Sequence, residues 1–328
     1  MAVGILGSGA WGTTLAKLFS INNDVILYVR NREQADQIIK TNENQKYLPG
    51  HKLNKKILIT NNINLLNQAS IIVVAVPSTH FRESLLGLSF LDPRIPFISV
   101  TKGLEKDTHL RMSEVILDAL VNKTHDDIAV ISGPNLAAEI MENKPAATVV
   151  ASKNKVLAQN IQKKLVSEKF RVYTSDDIIG CEISGIAKNV IAIAVGIGAG
   201  AEYGDNAKAL VITRGLAEIK RLGSALGGKS ETFSGLAGIG DLIATCSSDL
   251  SRNRTVGFML GQGNTLDEIL KKSNHVAEGV NSAKSLSELA NSFGVSMPIV
   301  DAIEKVINEG KVTEKAVAAL MTRPATVE

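Results

Sequence analysis

Up to about residue 175 the chain alternates short Ile/Val-rich runs with longer amphipathic stretches, and that alternation leaves few folds open. The runs are Val3–Leu6, Val25–Val29, Ile71–Val76, Phe97–Val100, Ile128–Ile131 and Ala147–Ala151, most of them closed by Gly, Pro, Ser or Thr. Runs that are apolar on both faces suit a parallel sheet covered by helices on each side. Between them lie helical stretches such as Thr13–Ser20, Arg32–Thr41 and Leu110–Leu120. After Asp177 the strand signals stop. The remainder of the chain reads as helices over Ile183–Gly200, Asn206–Leu226, Ser251–Gly261, Thr265–Lys272, Asn281–Phe293, Pro298–Asn308 and Thr313–Leu320, with Gly227-Gly228, Gly261-Gln262-Gly263 and Gly310 as stops. The order predicts an α/β chain: a doubly wound N-terminal domain over 1–180, then an all-α C-terminal domain over 181–328.

Composition narrows the function. Lys and Arg total 36 against 33 Asp and Glu, a net charge of +3, and no dense basic block occurs, which argues against nucleic acid as the main partner. The 45% hydrophobic and 21% charged content is that of a soluble globular protein. Ile183–Ala201 is interrupted by Lys188 and Asn189, so it reads as a buried helix and not as a membrane span. The opening MAVGILGSGAWG has no basic leader or long apolar core of a signal peptide. Cys181 and Cys246 share no metal-ligand spacing and read as small buried hydrophobes in a reducing cytoplasm. The 5 histidines show no zinc spacing, so no metal is expected.

The sharpest local signal is Gly7-Ser8-Gly9-Ala10-Trp11-Gly12. With 27 glycines in 328 residues a bare GxGxxG is weak, but here it follows the first strand and opens the first helix. In that context Gly7 permits the tight turn, Gly9 lets a pyrophosphate approach the backbone, and Gly12 allows close helix–sheet packing. The N-terminal domain is therefore Rossmann-like and dinucleotide-binding. An NAD-preferring site usually carries an acid at the end of the second strand. Tyr28-Val29-Arg30-Asn31-Arg32 has none, and Arg30 either pairs with a 2′-phosphate or is an exposed helix-start arginine. Ligands of open parallel sheets bind at the carboxyl ends of the strands, which brings forward Pro77-Ser78-Thr79, Lys102, Gly133 and Asn135. Lys102 there meets a cofactor or anionic substrate, or is a solvated turn lysine.

Lys188 stands out unaided. It is the only ionisable side chain between Glu182 and Glu202, on a helix of Ile, Val, Ala and Gly. Burying an unpaired ammonium is costly, so such a lysine pairs, snorkels or works; desolvation also lowers its pKa toward a range useful for proton transfer. Asp241, in Gly238-Ile239-Gly240-Asp241, either pairs with Lys188 or caps the following helix. Ser251-Arg252-Asn253 combines hydroxyl, guanidinium and amide at a helix start. That is suited to a small phosphate ester, or is simply a capped basic helix.

Taken in order, GSGAWG, YLPG (Tyr47–Gly50), VAVPS, SVTKGLE, SGPN, KNV, YGDNAKALVITRGLAEI, TFSGLAGIGDLIATC, SRN and VAEGV resemble the bacterial NAD(P)-dependent glycerol-3-phosphate dehydrogenases over essentially the whole chain. The resemblance implies hydride transfer between sn-glycerol 3-phosphate and dihydroxyacetone phosphate, with NADP or NAD as cofactor, feeding glycerophospholipid synthesis from the cytoplasm, as a homodimer. It implies that Lys188 is the acid/base, and that Lys102, Gly133, Asn135, Asp241, Ser251, Arg252 and Asn253 meet substrate. Gly7, Ser8, Gly9, Trp11, Gly12, Arg30, Lys102, Ala137, Arg252, Val276 and Glu278 would line the cofactor, with Tyr47 nearby. One departure is Asn135, where the family carries Ser or Thr after Gly-Pro. A β-hydroxyacid or ketoacid reductase would share the fold but not the SRN cluster. A nucleotide sensor would keep the glycine loop without needing Lys188.

Overall fold

The structure is a computed structural model that describes residues 2–272, 277–308 and 322. Its first half is an eight-stranded sheet of β1 (Ala2–Leu6), β2 (Val25–Tyr28), β3 (Ile57–Thr60), β4 (Ala69–Val74), β5 (Phe97–Ser99), β6 (Ile128–Ser132), β7 (Ala146–Ala151) and β8 (Phe170–Ser175), in the order β3-β2-β1-β4-β5-β6-β7-β8. All pairs are parallel except β6–β7. Alternate residues of single strands enter opposite cores. Val3, Ile5, Ile71 and Val73 lie on one face, and Leu6, Ile72 and Val74 on the other. Runs apolar on both faces thus follow from a sheet sandwiched between helices.

The edge elements β3 and β8 escape the pattern reading. In β8 Phe170 and Val172 are buried while Arg171 and Tyr173 are exposed, a period-2 alternation that was there to be seen. The strand ILIT of β3 has exposed Leu58 and is too short to signal itself. The antiparallel β7 is joined to β6 by the segment that holds Asn135, which explains why that loop turns back.

Among the described residues no strand follows Ser175. The second half is built around one helix, Ile178–Gly200, hereafter the central helix. It is long and apolar enough to cross a membrane, but 89% of its most apolar window is buried inside the protein. The expected helix over Thr313–Leu320 lies outside the described residues. The central helix crosses the helix Arg252–Gly261 backbone to backbone. A Cβ on Gly196 would come within 2.2 Å of the Arg254 carbonyl oxygen, and one on Gly257 within 2.1 Å of the Ile193 carbonyl oxygen. Only glycine allows that approach.

Gly257→Ala is therefore expected to lower stability by about 1–3 kcal/mol. Gly87→Ala, in right-handed helical backbone with the nearest atom at 3.5 Å, should be neutral or slightly stabilising. Denaturant midpoints of the two variants test this; a wild-type midpoint for Gly257→Ala would contradict the close crossing.

Candidate active site

The carboxyl ends of β1, β2, β4, β5 and β6 deliver Gly7, Arg30, Ser78, Lys102 and Gly133 to one edge of the sheet, around the β1–β4 boundary where chain order reverses. The three loop glycines have different reasons. Gly7 has φ +115° and presses on Ala75, whose carbonyl oxygen a Cβ would meet at 2.5 Å; a Cβ on Gly12 would lie 2.1 Å from the Gly7 carbonyl oxygen. Gly9 has nothing within 4 Å of its Cβ position, so the approach to the start of helix Ala10–Phe19 is open. The unpaired N–H groups of that helix start suit a pyrophosphate. Trp11 and Ser8 are half-buried beside them.

Asn44, missed in the sequence, fixes this loop. It is fully buried and donates to the Ser8 carbonyl and the Thr13 hydroxyl, both at 2.8 Å. Arg30 is exposed, and its carbonyl is held by Asn61 Nδ2 at 2.5 Å. The next residue, Asn31, caps the following helix through Gln34 N, so no acid competes at this corner. Ala137 opens the helix Ala137–Met141, Tyr47 is half-buried, and Val276 lies outside the described residues.

The charged centre joins both halves of the chain. Asp241 is 1% exposed and bridges two lysines: Oδ1 accepts from Lys188 Nζ at 2.5 Å and Oδ2 from Lys102 Nζ at 2.7 Å. It is the first residue of the helix Asp241–Ser247, where Gly240 stands at the cap position and no side chain makes a capping bond, so of its two sequence readings the pairing with Lys188 holds and the cap does not. Lys102 donates a further bond to the Gly133 carbonyl at 3.1 Å, and its stem lies over Gly185 of the central helix. Lys188 is 7% exposed and also donates to Thr245 Oγ1 at 2.7 Å. Burial pushes its pKa down to about 8; Lys102 adds to that shift, while Asp241 opposes it. Thr245 was not foreseen, although it stands one helical turn after Asp241 on the same face. An ammonium has three donors, so among the described residues one N–H of Lys188 remains after Asp241 and Thr245.

The helix Arg252–Gly261 is docked beside this centre. Asn253 Nδ2 donates to Asn189 Oδ1 at 3.0 Å and its Oδ1 accepts from Gly279 N at 2.9 Å, tying the residue after Arg252 to the residue after Lys188. The Ser251 hydroxyl caps the helix through Arg254 N at 3.3 Å. Asn253 and Ser251 are thus already engaged in holding the helix start. Arg252 is exposed, and among the described residues it forms no ion pair. Glu278 begins the helix Glu278–Ser292 and accepts from Ser78 Oγ at 2.9 Å, which joins the end of β4 to the helical half. Burial raises its pKa, against the pull of Ser78 and Arg252. Asn135 is turned inward: Nδ2 donates to the Ala147 carbonyl at 3.1 Å, and Oδ1 accepts from Thr148 Oγ1 at 2.9 Å. Among the described residues no cluster of His, Cys, Asp and Glu could hold a metal ion.

Two family models match the chain, the NAD-dependent glycerol-3-phosphate dehydrogenase N-terminus over residues 2–158 and the C-terminus over 177–318. Over 327 residues it is 49% identical to a glycerol-3-phosphate dehydrogenase (NAD(P)+) of Corynebacterium diphtheriae, covering 98% of each chain. A relative of the same description from Corynebacterium kroppenstedtii is 46% identical over all of both chains. The crystal structure of glycerol-3-phosphate dehydrogenase from Coxiella burnetii is similar with a TM-score of 0.94 at 35% identity, over 98% of this chain and 99% of that one. A ketopantoate reductase from Ralstonia eutropha shares the fold alone, with a TM-score of 0.62 at 15% identity and coverage of 97% and 100%.

Proposed function

The chain belongs to the NAD-dependent glycerol-3-phosphate dehydrogenase family, and on that premise we propose that Lys188 passes the proton as sn-glycerol 3-phosphate and dihydroxyacetone phosphate are interconverted. The observation that carries this is the buried Lys188 ammonium, held by Asp241 and Thr245 with one N–H left over among the described residues. When bound, NAD or NADP supplies or takes the hydride. The residues present suit that cofactor: the open face of Gly9, the free helix start behind it, and Arg30 at the end of β2.

In reduction, Lys188 donates to the oxygen of the substrate carbonyl as negative charge builds there; in oxidation its neutral form accepts the alcohol proton. Lys102, linked to the same Asp241, adds positive field at that oxygen. Arg252 grips the phosphate, helped by the N–H groups of its own helix start. Asn253 and Ser251 serve by holding that start in place, and Gly133 by its carbonyl on Lys102. The inward bonds of Asn135 support a part in shaping the loop. Glu278, bonded to Ser78 at the end of β4, and Ala137 would line the bound cofactor. In this assignment residues 1–180 serve the cofactor and 181–328 the substrate, in a cytoplasmic homodimer supplying glycerophospholipid synthesis. The buried free thiols of Cys181 and Cys246 support a reducing compartment.

Loss of NADPH absorbance on adding dihydroxyacetone phosphate tests the assignment. Oxidation should require the phosphate ester; turnover with a 2-ketoacid but not with dihydroxyacetone phosphate would overturn it.

Cofactor choice follows from the β2 end. NADPH is expected to be used at least as well as NADH, with a modest preference because an exposed charge pair is worth under ~1 kcal/mol. Arg30→Asp should reverse that preference by adding repulsion as it removes attraction. The ratio of kcat/KM for the two cofactors, at fixed ionic strength, checks it. An unchanged ratio in the variant would remove Arg30 from cofactor selection.

A further inference from the structure

Glu182 lies on the same helix as Lys188 and is 7% exposed, yet it faces the other half of the chain. Its carboxylate accepts from Ser113 N at 2.9 Å, from Ser113 Oγ at 2.6 Å and from Arg111 Nη1 at 2.7 Å. These donors sit at the start of the helix Met112–Ala119, and Arg111 is braced in turn by Glu114 at 2.6 Å. Between Lys102 and Arg111 the chain folds back on itself through the bridge Leu104–Arg111 and the bond from Glu105 N to the Leu110 carbonyl at 2.9 Å. Whatever fixes Arg111 and Ser113 therefore also fixes the root of Lys102. The central helix meets this segment in two places, at Glu182 under Arg111 and Ser113 and at Gly185 under the Lys102 stem. The segment is also tied to the helical half by Leu104, buried in the helical core with Ile183 and Ala187, and, more weakly, by His109 to Glu288 at the surface and Ser285 Oγ to the Lys106 carbonyl at 3.4 Å.

We propose that Glu182 is a positioning residue, clamping the Lys102–Ser113 segment to the central helix so that Lys102 stays against Asp241 and Lys188. This rests on the assignment of Lys188 as the proton-transfer group. Lys188 is faced by Lys102 from the loop after β5, and by Asp241, Thr245 and the buried thiol of Cys246 from the helix Asp241–Ser247. Lys102 holds the Lys188 pKa down and Asp241 holds it up. If the clamp loosens and Lys102 recedes, the pKa of Lys188 rises.

The test is the pH dependence of kcat/KM for dihydroxyacetone phosphate reduction in the full-length enzyme, for wild type, Glu182→Gln, Ser113→Ala, Lys102→Met and the Glu182→Gln/Lys102→Met double variant. Circular dichroism checks folding. Glu182→Gln should move the alkaline limb upward by roughly half to one pH unit, toward the position of Lys102→Met. Its KM for dihydroxyacetone phosphate should rise about 3- to 10-fold. The double variant should have the limb of Lys102→Met alone. A folded Glu182→Gln with a wild-type limb and KM overturns the proposal, as does a double variant whose shift is the sum of the two. Should Glu182→Gln fail to fold, Ser113→Ala carries the comparison with a smaller shift in the same direction, and a wild-type limb there overturns it. If Lys102→Met itself leaves the limb in place, the reading of Lys188 fails, a result distinct from failure of the clamp alone.

Discussion

Lys188→Ala is expected to lose about 10²–10⁴ in turnover, the range for removal of a general acid–base group. The side chain is the one cation of its helix interior, and among the described residues Asp241 and Thr245 take two of its three N–H donors. Cofactor affinity should stay near wild type, because the glycine loop and Arg30 lie at the ends of β1 and β2, in the other half of the chain. Steady-state turnover and cofactor titration in the same variant separate the two. A variant that keeps near-wild-type turnover would take the proton-transfer role from Lys188. One that loses cofactor binding in proportion would indicate a collapsed helix interior, since Asp241 would be left buried with one partner fewer.

Arg252→Ala has the next largest expected effect, and it should fall on the phosphate. Loss of a charge-assisted contact costs ~1.5–3 kcal/mol, or about 10- to 150-fold. The loss should appear in the KM for dihydroxyacetone phosphate and hardly at all with phosphate-free dihydroxyacetone. Arg252 is exposed at the start of a helix that Asn253 locks to Asn189 and Gly279. Its removal should therefore leave the helix in place. Equal losses on both substrates would mean that the helix start has shifted. Because Arg252 also lies within the field of Glu278, cofactor affinity is measured in the same variant.

The doubly wound half was legible because its inner strands are buried on both faces and so read as continuous apolar runs. The edge strands β3 and β8 were not, since one is short and the other has the mixed polarity of a half-exposed edge. Lys188 was legible from isolation alone: one charge in an apolar helix has few reasons to be there. Its partners were only partly so. Asp241 was visible as a carboxylate in a glycine-flanked apolar stretch, but Thr245 looked like any helical threonine until Lys188 was found against it. Asn44 and Glu182 act through tertiary bonds to Ser8 and Ser113, and nothing in their own neighbourhoods in sequence announces those partners. Conversely, SGPN placed Asn135 at a strand end, where ligands bind. There the antiparallel β7 gives its amide partners within the turn, a consequence of strand direction that a one-dimensional pattern does not carry.

The most direct test of the account is the pH dependence of kcat/KM in both directions of the reaction. That quantity reports groups of the free enzyme, where burial, reinforced by Lys102 and opposed by Asp241, leaves Lys188 at about 8. Reduction of dihydroxyacetone phosphate needs the protonated lysine, so its kcat/KM should fall as pH rises through about 8; oxidation of sn-glycerol 3-phosphate needs the neutral lysine and should rise through the same value. Asp241→Asn removes the charge that holds this pKa up, so both limbs should move to lower pH together. Opposite limbs crossing near a common pKa, and shifting downward in Asp241→Asn, are the predicted result. Limbs that run parallel in the two directions, or that stay fixed in Asp241→Asn, would contradict Lys188 as the group that carries the proton.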